Sequence, residues 1–406
     1  MSLVNPKKYI SFWGNCPADI LLVIFRKLDF KSLVNSMFVN KYWRDVVEYY
    51  CQHFNVWDKL IEHGIDNKGV SFSEKSTLGC RDIIQCAQKW YDVKNAAVRF
   101  HHHYTFEVVK SICVYKDNLI VVTNEAVKYF SLENFLLMKI FNTSCLKYEE
   151  TSSLTADLSL PMDGVIGYNV LTLINKLHHE DCDCTQVRKA VLYDISTFKV
   201  YSNCCYVIDI RNVLWVYKAD KCEWDVKVMA RYYGNKDCIC GLNVHQEEVY
   251  VLLKRGDVLR VDMECKKFEK VFELDVPMHY LDMKSYMFGD FSVLCAVPAE
   301  KEFQIHPQKE GGREGEQIVA ACPGLTCVME HGHILLLGYE DGKIEIFLTN
   351  NLIKRLTTPE LRFYLQSYSE STVNKIIALD VYEDSDGHHL FVATKSDIYE
   401  LLIYDK

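Results

Sequence analysis

The chain has 406 residues, of which 49% are hydrophobic and 25% are charged, and its formal net charge at neutral pH is −9. This apolar content excludes a disordered chain, and the acidic balance gives no support to a broad nucleic-acid-binding surface. No uncharged apolar run reaches the roughly 18 residues of a membrane-spanning helix, and residues 1–10 lack the hydrophobic stretch of a signal peptide.

Cysteine usage indicates the compartment. The 17 cysteines are odd in number and scattered along the chain, which is typical of a reduced protein and not of a disulfide framework. We therefore expect a protein of the cytoplasm, the nucleus or both.

Residues 9–53 carry three short helix patterns. Pro17 suits the first helical position, and Asp19 favours the positive end of the helix dipole. Asp29 and Asn40 can cap the second and third helices. A unit this small buries its own apolar faces poorly, so we expect it to present apolar side chains to a partner.

The same segment resembles an F-box. That family's pattern is matched in order and spacing by Pro17, Ile20, Leu21, Leu22, Ile24, Leu28, Asp29, Ser32, Leu33, Val39, Lys41, Trp43 and Arg44. Cys16 and Asn40 depart from the usual Leu and Cys. The resemblance implies docking to the Skp-family adaptor of a cullin-RING ubiquitin ligase. The residues expected to contact the adaptor are Pro17, Ile20, Leu21, Ile24, Leu28, Leu33, Val39 and Trp43. The alternative is an ordinary three-helix core segment.

Residues 54–103 are predicted to form a helical linker. Phe54, Trp57 and Leu60 make one apolar stripe, and Ile83, Trp90 and other residues make another. Three consecutive histidines, His101, His102 and His103, are expected to be an exposed polar stretch at the junction with the next domain.

From residue 104 to 406 the pattern changes to short apolar runs divided by polar turns, which predicts strands. Seven units of about 43 residues fit this region, the period of four-stranded propeller blades. They include residues 112–141, 164–201, 239–274 and, as the sixth unit, 325–356. The sixth unit is the clearest, because Asp341-Gly342 precedes the run Lys343 to Phe347. That run is similar to the WD-repeat pattern, although no unit has the family's Gly-His signature. The alternatives are a β-sandwich or two smaller β domains.

Ring closure follows from this interpretation. We expect a C-terminal strand near residues 398–403 to pair with an early strand near residues 105–109, which removes free sheet edges. The predicted fold class is thus α+β multidomain: a three-helix F-box, a helical linker and an all-β, seven-bladed propeller.

Candidate chemical sites are weak. Residues 178–184 hold two histidines and two cysteines, but their spacing is a poor match to structural zinc sites. Residues 384–387 begin like a calcium loop, yet Lys395 stands where the final liganding Glu belongs. Residues 311–315 are glycine-rich without a following Gly-Lys-Ser/Thr. No nucleophile motif is present, so we expect neither enzyme activity, nor a cofactor, nor a bound metal.

The expected function is that of a substrate-recognition subunit of an SCF-type ligase, in which the F-box binds the adaptor and the propeller binds a target. Arg188, Arg211, Arg231, Arg255 and Arg260 raise the hypothesis of a phosphorylated target, since arginine binds phosphate in a bidentate manner. The alternatives are a scaffold that binds the adaptor without ubiquitination, and a propeller enzyme or metal protein. Neither nucleic acid nor membrane is expected as a partner.

Overall fold

The computed structural model describes residues 16–28, 30–56, 78, 82–83, 86, 89–104, 107–160, 169–177, 189–221, 223–234, 239–245, 248–262, 265–273, 284–287, 292–297, 302–307, 318–331, 334–348, 358–365 and 375–404. The chain divides into two compact units, Met1–Gly64 and Ile65–Lys406. They are called the helical unit and the β unit below.

The helical unit contains α1 (Ala18–Phe25), α2 (Phe30–Ser36) and α3 (Lys41–His53). Pro17 is the N-cap of α1 and not its first residue, and its carbonyl accepts a hydrogen bond from the Leu21 N–H at 3.1 Å. Asp19 lies in the first turn, as predicted. Asn40 caps α3, because its Oδ1 accepts from the Trp43 N–H at 2.8 Å. The predicted cap Asp29 lies outside the described residues.

The β unit begins, among its described elements, with a 3₁₀-helix (Trp90–Asn95) and continues as strands. The first half comprises β1 (Ala97–Tyr104), β2 (Val109–Tyr115), β3 (Asn118–Thr123), β4 (Ala126–Ser131), β5 (Leu137–Asn142), β6 (Cys145–Glu150), β7 (Leu154–Ser159), β8 (Val170–Asn175), β9 (Lys189–Tyr193), β10 (Ile195–Tyr201), β11 (Cys204–Asp209), β12 (Val213–Asp220) and β13 (Glu223–Arg231). The second half comprises β14 (Ile239–His245), β15 (Glu248–Leu253), β16 (Asp257–Asp262), β17 (Lys267–Glu273), β18 (Lys284–Met287), β19 (Ser292–Val297), β20 (Glu302–Pro307), β21 (Ile318–Ala321), β22 (Leu325–His331), β23 (Ile334–Tyr339), β24 (Lys343–Leu348), β25 (Leu361–Tyr364), β26 (Ala378–Glu383), β27 (His388–Ala393) and β28 (Asp397–Tyr404).

These strands form seven four-stranded antiparallel sheets within the described residues. Sheets I to VI are meanders of consecutive strands: β2–β5, β6–β9, β10–β13, β14–β17, β18–β21 and β22–β25. Sheet VII has the order β1-β28-β27-β26, so the first and the last strand of the unit are neighbours in one sheet. Their register runs from Ala97 opposite Tyr404 to Tyr104 opposite Asp397.

Apolar side chains fill the spaces between sheets that are successive in the chain. Sheets I and II, II and III, and III and IV each share a hydrophobic cluster. Further clusters join sheet VI to sheet VII and sheet VII to sheet I, and β14 lies against β18 of sheet V. The core is therefore distributed between sheets, because a single four-stranded sheet cannot bury both of its faces alone.

Backbone and side-chain hydrogen bonds also cross between sheets. The Val114 N–H of sheet I donates to Asp380 Oδ2 of sheet VII at 2.5 Å, and Asp380 is buried. The Val200 N–H of sheet III donates to Glu149 Oε2 of sheet II at 2.7 Å. These bonds give the buried carboxylate of Asp380 and the partly buried carboxylate of Glu149 a hydrogen-bond partner.

The structure corrects the predicted boundary at residue 104. Strand β1 begins at Ala97, inside the segment predicted to be a helical linker. Trp90 and Val93 of the same segment belong to the core between sheets VI and VII. An early strand does pair with the last one, as expected, but it is residues 97–104 and not 105–109.

The three consecutive histidines lie on the wrong side of the predicted boundary at residue 104. His101, His102 and His103 lie in β1 and are not a polar junction loop. His102 Nε2 is 3.1 Å from Asp397 Oδ1, and its ring stacks on Tyr399. The His103 ring stacks on Phe135. Imidazole can serve as an aromatic strand residue when its nitrogens reach carboxylates, which a propensity argument from polarity overlooks.

Candidate partner-binding site

The helical unit has a core of its own. Its buried members are Cys16, Leu21, Phe25, Leu33, Met37, Val46, Val47, Tyr50 and Cys51. Leu22, Ile24, Leu28, Trp43 and Val56 pack against them and are partly buried. The Phe25 and Trp43 rings meet edge to face at 5.5 Å. We expected a unit of this size to bury its own apolar faces poorly, but each helix has buried residues in this core.

This core divides the eight residues predicted to contact a partner. Leu21 and Leu33 are buried in the unit itself. Ile24, Leu28 and Trp43 are partly buried and pack against the same core. Only Pro17, Ile20 and Val39 are exposed, the last two at 48% and 57%. Helical spacing alone could not separate these sets, because Ile20 and Leu21 are adjacent in sequence and point to different sides of α1.

Three more apolar side chains between residues 17 and 42 are also exposed. Val23, Phe38 and Tyr42 are exposed at 60%, 69% and 39%. Ile20 and Val23 lie three residues apart on α1 and so share a side of that helix. We call the set Pro17, Ile20, Val23, Phe38, Val39 and Tyr42 the apolar face.

Local hydrogen bonds hold this face in place. The Tyr42 hydroxyl donates to the Cys16 carbonyl at 3.0 Å, which fixes the start of α1 beside the start of α3. The Phe38 and Val39 N–H groups donate to Asn35 and Ser36 carbonyls in a turn that closes α2. The Arg44 Nε donates to the Met37 carbonyl at 3.3 Å. The apolar side chains are thus presented by a backbone that is already ordered.

Sequence reasoning missed Val23, Phe38 and Tyr42. A signal existed for Phe38, because two large apolar residues, Phe38 and Val39, directly precede the cap Asn40 and cannot both face the core of a short turn. No comparable signal marks Val23, whose exposure depends on how α1 packs on α3.

The β unit also contains three clusters of polar side chains. Glu383 is buried and accepts a hydrogen bond from Trp90 Nε1 at 2.7 Å, while His331 Nε2 and His388 Nδ1 lie 3.0 and 3.3 Å from the same carboxylate oxygen. Burial by itself raises the pKa of Glu383, but the two imidazoles outweigh this effect and lower it to about 2. The cluster anchors Trp90 to sheets VI and VII.

A second cluster lies on sheet VII. His389 stands between Asp384 and Glu400, at 3.1 and 2.6 Å. Burial alone lowers the pKa of His389, but hydrogen bonds to the two carboxylates raise it to about 9. Glu400 is also 3.6 Å from His103 of β1. These pairs connect the first strand to the last three.

A third cluster bridges sheets I and II. The hydroxyls of Tyr129 and Tyr148 both lie 2.7 Å from Glu150 Oε2, and Lys176 pairs with the other oxygen of that carboxylate. Burial raises the pKa of both phenols well above their usual range. All the polar groups named here satisfy one another, as in a structural bridge between sheets.

The predicted arginines do not converge. Arg211, Arg255 and Arg260 pair with Asp209, Asp257 and Glu248 of their own sheets. The Arg231 guanidinium lies over the Tyr233 ring at 5.3 Å, and Arg188 lies outside the described residues. The phosphate hypothesis therefore stays a prediction without geometric support.

The other sequence candidates are accounted for in part. Residues 384–387 form the turn between β26 and β27, in which Asp384 Oδ1 accepts from the Asp386 and Gly387 N–H groups. Residues 178–184 and 311–315 lie outside the described residues. Within the described part of the chain, no group of three potential ligands is arranged to hold a metal ion. No helix there is both long and apolar enough to cross a membrane. The ten cysteines whose side chains the structure describes are free thiols.

Comparison with known proteins identifies the helical unit. Residues 13–54 match the F-box domain family, so this segment is an F-box domain. F-box domains typically bind Skp-type adaptors of cullin-RING ligases. The match lies within the helical unit and includes none of the β unit. No curated protein matches the chain.

Comparison with solved structures gives only a distant likeness. One similar solved structure is the computationally designed Ika8 protein, with 10% sequence identity and a TM-score of 0.47. The likeness covers 74% of this chain and 97% of that one. At this similarity it gives no information on function.

Proposed function

We propose that the chain is the substrate-recognition subunit of an SCF-type ubiquitin ligase. The F-box domain docks on a Skp-family adaptor through the apolar face, and the β unit binds the target. The observation that carries this proposal is the exposure of six apolar residues on a domain that already has a filled core. Exposed apolar patches of this kind are typical of interaction sites.

We further propose that the β unit is a closed seven-bladed propeller related to WD-repeat proteins. Hydrophobic clusters join sheets I to IV in chain order, sheet VI to sheet VII and sheet VII to sheet I, and sheet VII carries both the first strand and the last. Pairing the first and last strands of the domain in one blade closes the ring of a propeller. The loops between blades then supply the target-binding surface.

The proposed mechanism is positioning and not chemistry. The adaptor holds one end of the chain and the target is held by the other, so that the target's local concentration beside the ubiquitin-loaded enzyme rises. The residues that transfer ubiquitin belong to other subunits, and the site of action is the cytoplasm, the nucleus or both.

The test of adaptor docking uses the full chain and a purified Skp-family adaptor. The double variant Ile20→Ala, Val23→Ala removes two exposed side chains of the apolar face. Truncating anchors at an interface costs about 2 kcal/mol, so we expect adaptor affinity to fall about 30-fold. Isothermal titration calorimetry measures this loss.

The matched control is Ile210→Ala, which removes an isoleucine of the β unit that is more exposed (63%) than Ile20. It should leave adaptor affinity unchanged. Adaptor binding that survives in the double variant would show that another surface is used. A chain that binds the adaptor but supports no ubiquitin transfer to a protein bound by the β unit would identify a scaffold.

A further inference from the structure

Strand β5 is the outermost strand of sheet I and has a free edge. The order of the sheet is β2-β3-β4-β5, and within the described residues β5 pairs with β4 alone. The Thr143 N–H donates to the Glu125 carbonyl at 3.0 Å. Hydrogen-bonded pairs alternate in an antiparallel ladder. Phe141 and Lys139 therefore direct their backbone groups toward β4, while Ile140 and Asn142 direct theirs outward.

The side chains of β5 are unusual for a strand in this position. Every residue from Leu137 to Asn142 is exposed, and four of the six are large and apolar: Leu137, Met138, Ile140 and Phe141. Leu136, which precedes the strand, is also exposed at 60%. Free edges with this composition are templates for pairing with another chain.

The outermost strands of two other sheets show the contrast. β13 carries Glu223, Asp225, Lys227 and Arg231, and β17 carries Lys267, Glu269, Lys270 and Glu273. Charges on an edge strand discourage unwanted pairing. β5 has only Lys139, so its edge lacks the protection that the other two edges have.

Lys139 indicates what kind of segment the edge accepts. Its Nζ lies over the Phe141 ring at 4.1 Å and the Tyr129 ring at 5.7 Å. No carboxylate of the described residues lies within ion-pair distance of it. An acidic residue on an added strand would pair with this lysine, whereas a second copy of β5 would bring another uncompensated lysine to the same short ladder.

We propose that the free edge of β5 binds an extended segment of a partner protein as an added strand, with an acidic residue opposite Lys139 and apolar residues on either side. Main-chain hydrogen bonds from Ile140 and Asn142 give affinity, and the apolar side chains with Lys139 give selectivity, as in other cases of strand addition. The inference rests on the proposed function, because it names the class of target: one with an exposed acidic-apolar strand.

The test uses the full chain and a labelled soluble peptide in which apolar and threonine residues alternate around a central glutamate. Fluorescence anisotropy measures binding. The variant Ile140→Lys places a charge on the edge and should weaken binding about tenfold or more. The variant Ile140→Pro removes an outward N–H that β4 does not use, so it should weaken binding while the sheet stays folded.

The matched control is Val228→Lys, which adds the same charge at an exposed position of β13. It should bind the peptide like the unaltered chain. Lys139→Glu should reverse the preference, so that a peptide with central lysine binds better than the glutamate peptide. Equal peptide binding by the Ile140→Lys and Val228→Lys variants, or no reversal with Lys139→Glu, would overturn the proposal.

Two further outcomes are distinguishable. Sedimentation that shows dimers of the unaltered chain, abolished by Ile140→Lys, would overturn the proposal in favour of a second copy as occupant. Adaptor titration on the same preparations separates this inference from the proposed function: the Ile140→Lys variant should bind the adaptor normally. Failure of the unaltered chain to bind any adaptor, with peptide binding intact, would reject the ligase role and leave the strand site standing.

Discussion

At the scale of single residues, burial separates side chains that look equivalent in sequence. Ile20 and Leu21 are neighbours of similar size in α1, yet Leu21 is fully buried and Ile20 is about half exposed. A buried aliphatic residue supports the fold, and an exposed one on an ordered domain is available to a partner. The two roles can be measured separately.

We expect Leu21→Ala to destabilise the F-box domain by about 2–5 kcal/mol, because it leaves a cavity among Phe25, Leu33 and Val47. Ile20→Ala should change stability by no more than about 0.5 kcal/mol. Hydrogen exchange of residues 16–56 in the full chain, followed by mass spectrometry, measures both. Equal hydrogen-exchange rates in the two variants would contradict the difference in burial between Leu21 and Ile20.

The His389 cluster predicts a dependence of stability on pH. Hydrogen bonds to Asp384 and Glu400 overcome the effect of burial and raise the pKa of His389 from 6.5 to about 9. A raised folded-state pKa means that this stabilisation is complete below pH 6.5 and is lost as the pH rises through 9. We expect the melting temperature of the β unit to fall over that range.

His389→Gln is the control for this prediction, since glutamine cannot carry the charge. Its melting temperature should change less between pH 6.5 and 9.5 than that of the unaltered chain, as measured by scanning calorimetry. Parallel pH profiles for the two proteins would mean that His389 is not the group that titrates.

At the scale of elements, the segment before the first meander is part of the β unit and not a linker. Trp90 is fully buried, hydrogen-bonded to Glu383 and stacked on His388 at 4.0 Å. β1 pairs with β28 along eight residue pairs. Both contacts join residues almost 300 positions apart in the chain, so they restrain its two ends.

A truncated chain of residues 65–406 should therefore fold, whereas one of residues 104–406 should not fold stably. The shorter chain lacks Trp90 and β1, which leaves Glu383 without its indole donor and β28 without one neighbour. Circular dichroism melts of the two chains provide the comparison. A chain of residues 104–406 that melts like the longer one would show that the early segment is dispensable.

At the scale of the whole molecule, two compact units carry two different kinds of surface. The F-box domain carries exposed apolar side chains on ordered helices, and the β unit carries an exposed apolar edge strand, β5. Arginines that could have formed a shared phosphate site are instead paired within their own sheets or placed over an aromatic ring. The four described arginines therefore do not form a shared phosphate site.

The repeat pattern predicted from sequence follows the sheets unevenly. The units beginning at Ile112 and Ile239 coincide with sheets I and IV. The unit predicted from residue 164 to 201 is wrong, since it joins strands of sheets II and III and omits β6 and β7. β6 reads Cys-Leu-Lys-Tyr-Glu-Glu, and its carboxylates are held by Lys176, Lys199 and Tyr129 from elsewhere in the fold. A strand that depends on such distant partners has no local signature.

The sequence by itself determined what depends on short-range chemistry. The pattern around Pro17, the cap Asn40 and the Asp341-Gly342 hairpin is set by backbone geometry and neighbouring side chains, so the F-box domain and the strand-rich region could be predicted. Only the tertiary structure decided which side of α1 faces the core, that His101 to His103 form a strand, and that β5 has an open edge. Those features depend on contacts between residues that are distant in the chain. A periodic pattern in one segment does not show which face of that segment another segment will cover.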